Sequence, residues 1–202
     1  MRWNEMSYSG WGRALQATGE VARPERMQGL TAETAVPAIG NRRSYGDACT
    51  NNGGKAVDMS RLDRVLSFDA ETGLVEAEAG MPIGELARLF APLGWMPAVM
   101  PGTGFATVGG CIANDVHGKN HHGVGTFGQH VQSVQLVGAD GAIQTVSPDQ
   151  NKTLFEATLG GLGQTGIILP PQRPPSPCSS RIRGSTSMPS VKALSEGRTR
   201  IE

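Results

Sequence analysis

Short segments in which apolar and polar residues alternate occupy much of the first half of the chain, and they predict β-strands. Residues 74–79 alternate with period two, which suits a strand with one buried face. Turn-forming residues, NGG at 52–54 and ETG at 71–73, separate the segments. The predicted strands cover residues 36–39, 55–59, 65–68 and 74–79. We expect the last three to form one small antiparallel or mixed sheet.

A helical period replaces the alternation after Gly80. Apolar residues at positions 83, 86, 89, 90 and 93 recur at helical spacing, Pro82 suits a first turn, and Gly94 suits a C-terminal cap. The pattern therefore predicts an amphipathic helix over residues 82–93. The other predicted elements are a strand at 95–100, a helical turn or more at 107–114, hairpin strands at 131–137 and 142–146 joined by an Asp-Gly turn, a helix at 147–159 and a strand at 166–169.

The two ends of the chain differ in character from the middle. Residues 7–13 are aromatic, polar and rich in glycine, which predicts an ordered arm rather than a helix or strand, and Pro24 suits the first turn of a short helix. After Pro170 the chain is crowded with proline, serine and arginine, which predicts disorder. We expect an arm and first helix at 1–34, one domain at 35–169 and a disordered or aberrant tail at 170–202. This abrupt change also favours a truncated or frameshifted form of a longer protein.

Composition narrows the class of protein. The formal net charge is zero and no basic run precedes the tail, so nucleic acid is not an expected partner. The three cysteines, Cys49, Cys111 and Cys178, share no metal-type spacing, which favours reduced thiols and a cytoplasmic setting. No segment has the apolar length of a signal peptide core or a membrane span, so membrane association is not expected.

Two glycine-rich loops carry the candidate chemistry. The first loop is residues 40–47, GNRRSYGD, and the second loop is residues 101–131, PGTGFATVGGCIANDVHGKNHHGVGTFGQHV. Glycines allow positive φ angles and close approach of the backbone to a ligand, at a cost in chain entropy that a purely structural loop rarely incurs so often. Each loop follows a predicted strand, a usual place for a ligand. The helical turn at 107–114 is expected to present free backbone N–H groups and its dipole to an anion.

Other interpretations compete for these residues. The segment GLGQTG at 161–166 matches the dinucleotide fingerprint, but a predicted helix precedes it and a strand follows, the reverse of the required order. A Walker-type phosphate loop is excluded because no Gly-Lys-Ser or Gly-Lys-Thr is present. Apart from Asp115, no Cys, Asp or Glu lies at customary ligand spacing from His117, His121, His122 and His130, so no metal is predicted. A catalytic role and a role as polar loop residues bonded to the backbone both stay open for them.

The motifs together resemble a known family. GNRRSYGD (40–47) and PGTGFATVGGCIANDVHGKNHH (101–122), with VDM (57–59), AGM (79–81) and GGLGQTGII (160–168), are similar to the FAD-binding, PCMH-type domain of the vanillyl-alcohol-oxidase superfamily. The block around HGKNHH is most similar to the decaprenylphosphoryl-ribose 2′-oxidases and related FAD-linked oxidoreductases. The resemblance implies an α+β fold of two small sheets with flanking helices, which grips FAD by loops rather than by a Rossmann unit.

The resemblance also implies roles for individual residues. Residues 38–48 would surround the pyrophosphate of FAD, with backbone and side-chain donors from Asn41, Arg42, Arg43, Ser44 and Tyr45. Gly40, Gly46 and Asp47 would belong to the same cofactor-binding loop. The second loop would place Gly102, Thr107, Val108, Gly109 and Gly110 along the phosphates and ribityl chain, and Asn114, Asp115, Val116 and His117 beside the flavin ring. Ile168 would contact the adenine half, and His117 or Lys119 would hydrogen-bond the substrate or the flavin as catalytic residues.

The resemblance finally implies a reaction. Many relatives attach FAD covalently through a histidine in the first loop; Tyr45 takes that place here, so non-covalent FAD is expected. The implied chemistry is oxidation of a secondary alcohol on a sugar or lipid-linked sugar, with hydride passing to the flavin and then to oxygen or another acceptor. The implied substrate domain lies beyond the resembling residues. A catalytically inactive FAD-binding remnant and an alditol or aldonolactone oxidase stay open as alternatives.

Overall fold

The computed structural model describes residues 1–27, 30, 36–169 and 181–185. Its strands are β1 (Trp3–Ser9), β2 (Gln16–Ala22), β3 (Ala38–Ile39), β4 (Lys55–Asp58), β5 (Val65–Asp69), β6 (Leu74–Ala77), β7 (Met96–Pro97), β8 (Val134–Val137), β9 (Ile143–Val146), β10 (Ile167–Leu169) and β11 (Arg181–Ser185). Its α-helices are α1 (Ile83–Phe90), α2 (Val108–Ala113), α3 (His121–Val124) and α4 (Lys152–Thr158), with 3₁₀ turns at Ala91–Leu93 and Phe127–His130. The predicted α+β class of small sheets with flanking helices is confirmed, with three sheets in the described residues rather than two.

The first sheet has the order β1-β2-β4-β3, and the first loop leaves it at the end of β3. β1 pairs antiparallel with β2 along its whole length, whereas β4 lies parallel to both β2 and β3. The prediction of an arm is therefore wrong for residues 7–9, which belong to β1. Only Tyr8 of β1 is buried, so the strand forms through pairing rather than through a hydrophobic period of its own. The boundary between residues 34 and 35 stays a prediction, and β2 and β4 pair across it.

Strands β4, β5 and β6 do not share one sheet, contrary to the prediction. β5 and β6 belong to a second sheet of order β5-β6-β11-β7. Burial explains the split, because three consecutive residues of β4, from Ala56 to Asp58, are buried, as expected for a central strand covered on both faces. β6 instead alternates between buried and half-buried residues. The third sheet, β10-β8-β9, is antiparallel and contains the predicted hairpin of β8 and β9.

Residues 181–185 correct the prediction of a disordered tail. They form β11, which pairs antiparallel with β6 and β7. The segment RIRGS contains one apolar residue, Ile182, so its strand comes from pairing and not from composition. The rest of the tail, residues 170–180 and 186–202, lies outside the described residues, as do residues 28–29 of the short helix predicted after Pro24.

Helix α1 confirms the predicted amphipathic helix and is followed by the predicted glycine cap. Ile83 and Leu86 are buried, and Gly94 is left-handed with a φ of 82°. The last predicted turn is 3₁₀, since Pro92 has no N–H for an α-helical hydrogen bond. One hydrophobic cluster joins α1, α2 and α4 to strands of all three sheets. Among the described residues, no helix is long and apolar enough to cross a bilayer.

Candidate functional site

A cavity of about 540 Å³ opens between the first loop and the second loop. The first loop begins where β3 ends, and the part of the second loop that lines the cavity flanks α2. The volume lies within the usual range for small-molecule and cofactor sites. The two glycine-rich segments of the sequence therefore meet at one site.

Direct contacts hold the two loops against each other. The Nδ2 of Asn41 donates to the carbonyl oxygen of Phe105 at 3.0 Å, and the guanidinium of Arg43 lies 5.2 Å from the ring centroid of Phe105. Gly40 approaches Thr107 so closely that a Cβ on residue 40 would lie 2.3 Å from the Oγ1 of Thr107. A side chain at position 40 would thus force the loops apart.

Arg42 gives the cavity a concentrated positive charge. Its Nη1 is buried and has no hydrogen-bond acceptor among the described residues, with the Oδ2 of Asp58 3.9 Å away. That carboxylate oxygen is already bonded to Arg23, whose Nε and Nη2 donate to it at 2.9 and 2.6 Å. Arg42 also has a φ of 53°, a left-handed conformation that costs a residue other than glycine about 1 kcal/mol. A buried unpaired donor and backbone strain at one cavity wall are typical of a ligand site.

Backbone N–H groups of the first loop add to this positive potential. No described residue accepts a hydrogen bond from the N–H groups of residues 41–46. Consecutive free N–H groups in a turn, next to two arginines, are the kind of donors with which proteins hold an anion. The first loop therefore has the donors that a diphosphate requires.

The amino end of α2 differs from the prediction. Its first three N–H groups have acceptors within the protein: Val108 donates to the carbonyl oxygen of Met81 at 2.9 Å, Gly109 to that of Ala79 at 2.8 Å, and Gly110 to the Oγ1 of Thr107 at 3.2 Å. The prediction of free N–H groups at this helix is wrong, because Thr107 caps the helix and the segment before α1 pairs with its first turn.

The histidine-rich segment borders the cavity through His117, which is exposed. The rings of His117 and His121 lie 5.3 Å apart between centroids, and those of His121 and His122 lie 3.9 Å apart. His130 fits the interpretation of a polar loop residue, since its Nε2 lies 2.8 Å from the carbonyl oxygen of Val124. In the described part of the chain, no three His, Cys, Asp or Glu side chains are grouped to hold a metal ion.

Most of the residues that the resemblance assigns to FAD line the cavity. They are Gly40, Asn41, Arg42, Arg43, Ser44, Tyr45, Gly102, Thr107, Gly109, Gly110, Asn114, Asp115, Val116, His117 and Ile168. Gly46, Asp47, Val108 and Lys119 are not among its lining residues. Val108 is 1% exposed and belongs to the hydrophobic core, while Lys119 is exposed in the second loop two residues after His117. The individual roles of all these residues stay predictions.

Several lining residues were absent from the predicted set. They are Trp11, Cys49, Met59, Ala79, Pro101, Thr103, Ala106, Ala113, Leu162, Gly163 and Gly166. Leu162 and Gly163 belong to the GLGQTG segment, which lies between α4 and β10 and so is not a Rossmann turn, as predicted. The N–H of Leu162 donates to the carbonyl oxygen of Ala113 at 2.7 Å, which ties this turn to the end of α2. Trp11 and Leu162 are next to glycines in the sequence, and these glycines are the signal that could have predicted them as lining residues.

The described cysteines are free thiols, and neither provides a reactive thiolate. Burial raises the pKa of Cys111 to about 12, and burial is also the main cause that raises the pKa of Cys49. Both thiols therefore stay protonated near neutral pH. Cys178 lies outside the described residues.

The residues present fit the cofactor that the resemblance implies. FAD carries a diphosphate, and the cavity offers it the side chain of Arg42, which is 27% exposed, and the N–H groups of the first loop. Gly102, in the second loop, also lines the cavity, and it leaves room for a ligand to approach the backbone because a Cβ there would meet nothing within 4 Å. The donor set of the cavity thus suits the diphosphate of a dinucleotide.

Comparison with known proteins agrees with this geometry. The FAD binding domain family matches residues 30–147. The chain is 43% identical over 171 residues to decaprenylphosphoryl-beta-D-ribose oxidase of Mycolicibacterium smegmatis, which covers 79% of this chain and 37% of the relative. It is 34% identical over 118 residues to D-arabinono-1,4-lactone oxidase of Yarrowia lipolytica, covering 56% and 22%, and 31% identical over 136 residues to L-gulonolactone oxidase of Mus musculus, covering 66% and 30%. The chain spans about a third or less of the length of these relatives.

Proposed function

The chain belongs to the FAD-binding domain family of flavin-dependent oxidoreductases, and from this premise we propose that it holds FAD in the cavity between its two loops. The family resemblance of the sequence is confirmed, and FAD is the cofactor. The observation that carries the proposed location is the set of first-loop N–H groups at the cavity wall that lack acceptors among the described residues, beside the guanidinium groups of Arg42 and Arg43. The diphosphate oxygens of FAD would accept hydrogen bonds from them.

Each loop has a separate task in this arrangement. The first loop neutralises the diphosphate through Arg42, Arg43 and its N–H groups, and the second loop lets the ligand approach its backbone at Gly102, where a Cβ would meet nothing within 4 Å. When bound, FAD supplies the acceptor for the hydride that leaves the substrate. We assign the imidazole of His117 the task of hydrogen-bonding the substrate hydroxyl or the flavin, with Lys119 as the second candidate for that task.

The proposed substrate is a secondary alcohol of a sugar or lipid-linked sugar. The relative that is 43% identical is a decaprenylphosphoryl-beta-D-ribose oxidase, which supports a sugar-linked substrate. The two lactone oxidases support a second candidate, oxidation of an aldonolactone. A third candidate is a domain that binds FAD without chemistry of its own.

Anaerobic reduction of the FAD-loaded protein distinguishes these three candidates. The loaded chain is mixed without oxygen with a polyprenyl-phosphoryl ribose, an aldonolactone or an alditol, and the visible flavin absorbance is followed. Bleaching by the glycosyl phosphate alone supports the first candidate, and bleaching by the lactone or alditol alone supports the second. Bound FAD that stays oxidised with every substrate supports the third. A chain that binds no FAD contradicts the proposal as a whole.

We expect acid precipitation of the loaded protein to release all of its FAD. A histidyl-flavin bond needs an imidazole nitrogen, and the position implied for that link holds Tyr45, a phenol 79% exposed at the cavity wall. The measurement is the flavin absorbance of the supernatant and of the washed pellet after trichloroacetic acid. Flavin that remains in the pellet would show a covalent link and refute this expectation.

A further inference from the structure

The N-terminal hairpin of β1 and β2 lies outside residues 30–147, the part that the family matches. Its turn nevertheless contacts the first loop directly. The N–H of Trp11 donates to the carbonyl oxygen of Ser44 at 3.0 Å, and the hydroxyl of Tyr8 accepts a hydrogen bond from the N–H of Asn51 at 3.0 Å. The hairpin therefore holds the first loop and the chain that follows it, in addition to the contacts that come from the second loop.

Gly10 packs closely against the backbone of the first loop. A Cβ on residue 10 would lie 2.8 Å from the carbonyl oxygen of Gly46 and 2.9 Å from that of Ser44. Both atoms belong to backbone, which cannot move aside as the end of a flexible side chain can. Gly12, two residues later in the same turn, would have no neighbour within 4 Å of its Cβ. The chain thus offers a matched pair of glycines, one packed on the first loop and one open.

This turn places Trp11 at the cavity wall, where 59% of the residue is exposed. Its indole meets the ring of Tyr45 edge to face, with centroids 5.6 Å apart and planes at 81°. Tyr45 also lines the cavity and is 79% exposed. Two adjacent aromatic rings exposed at the wall of one cavity are typical of a site that binds a planar or apolar ligand group. FAD has two planar heterocycles, the flavin and the adenine.

We propose that Trp11 is a ligand-contacting residue, whose indole packs with Tyr45 against one planar ring of the bound dinucleotide, and that the packing of Gly10 positions the first loop for its diphosphate. The inference rests on the proposed binding of FAD in this cavity. It assigns a part of the binding site to the hairpin, which the family match does not include.

Titration of the ligand-free protein with FAD tests the contact. Trp11→Ala is expected to weaken FAD binding about tenfold, because loss of aromatic stacking on a base has an effect of that size. Trp11→Phe keeps an aromatic face and should stay within about threefold of the wild type. Leu15→Ala removes another exposed apolar side chain of the same hairpin, which does not line the cavity, and should leave the affinity unchanged. The melting temperature of the ligand-free protein should be the same in all three.

Fragments of the cofactor show which ring is contacted. FMN carries the flavin without adenine, and ADP carries the adenine without the flavin. A ring contact predicts that Trp11→Ala weakens FAD and one of the two fragments, and leaves the other fragment unchanged. An equal loss for FMN and ADP, or a loss for neither, contradicts the contact. If the wild type fails to bind FAD, the proposed function fails; if the wild type binds and Trp11→Ala binds as well, this inference alone fails.

The two glycines test the positioning role. Gly10→Ala should displace the first loop and weaken FAD and both phosphate-bearing fragments by a similar factor, about tenfold or more. Gly12→Ala should behave as the wild type, because its Cβ meets open space. Equal FAD affinity of the two alanine variants contradicts the positioning role. Should Gly10→Ala fail to fold, the tryptophan titrations still decide the inference.

Discussion

Alanine at position 42 is expected to weaken FAD binding about a hundredfold while leaving riboflavin binding unchanged. The substitution removes a charge-assisted hydrogen bond to the diphosphate worth about 2–3 kcal/mol, and riboflavin has no phosphate. Arg42 suits the experiment because it lines the cavity and 27% of its side chain is exposed. Asp58 loses its ion pair with Arg42 in the variant but keeps both bonds from Arg23, so this buried carboxylate is not left unpaired. The measurement is the dissociation constant of each ligand, with the melting temperature of the ligand-free protein beside it.

Two further variants distinguish the roles of the charge and the planar shape of Arg42 from an effect on the fold. Arg42→Lys keeps the charge but loses the planar guanidinium group. We therefore expect it to weaken FAD binding about tenfold, less than Arg42→Ala does. Arg61→Ala removes an exposed arginine that pairs with Glu25 and does not line the cavity, and it should bind FAD normally. An equal loss of FAD and riboflavin in Arg42→Ala would mean that Arg42 acts through the fold. Unchanged FAD affinity would place the diphosphate elsewhere.

The two loops were predictable because glycine-rich composition is a local property of the sequence. Repeated glycines indicate that the backbone comes close to something, and Gly40 and Gly109 do so. What they approach is protein in both cases, since Gly40 packs on Thr107 and Gly109 on Ala79. Close approach to a ligand and close approach to a distant segment leave the same signal in the sequence. The structure separates the two.

The failed prediction at α2 has the same origin. A short helix after glycines suggests free N–H groups, but the carbonyl oxygens of Met81 and Ala79, from the segment before α1, accept two of them. The pattern of neighbouring residues in the sequence does not reveal hydrogen bonds between segments that are far apart in the chain. The family resemblance did imply that Arg42 is one of the donors of the first loop. It could not show that the Nη1 of Arg42 lacks an acceptor among the described residues, because that depends on where Asp58 and Arg23 lie.

The sequence pattern predicted where strands lie better than it predicted which strands pair with each other. The alternation at 74–79 located β6, and apolar runs located β4 and β10. β1 and β11 escaped prediction because their residues have little apolar period and become strands by pairing with neighbours. For β1 the consequence reaches the candidate site, since the turn after it carries Trp11 to the cavity wall. The sequence pattern therefore missed the part of the site that comes from the N-terminal hairpin.

Alanine at position 40 is expected to be the most damaging small substitution at the site, since its Cβ would lie 2.3 Å from the Oγ1 of Thr107 and 3.2 Å from its Cγ2. Thr107 is buried and caps α2, so it cannot turn away without loss of its own hydrogen bond. We expect Gly40→Ala to lower the free energy of unfolding by about 3 kcal/mol and to weaken FAD binding at least tenfold. Denaturant unfolding of the ligand-free protein and FAD titration measure the two effects.

A double-mutant cycle attributes the damage to this one contact. Thr107→Ala alone should cost about 1 kcal/mol, the usual price of a lost cap, but it removes both atoms that the new methyl group meets most closely. Gly40→Ala with Thr107→Ala should therefore be more stable than Gly40→Ala alone, a favourable coupling that independent sites do not show. Gly102→Ala, at a cavity glycine whose Cβ would meet nothing within 4 Å, serves as the control and should leave the stability of the ligand-free protein unchanged. Additive effects in the cycle would refute the steric explanation, because the loops would then be held by something other than the contact of Gly40 with Thr107.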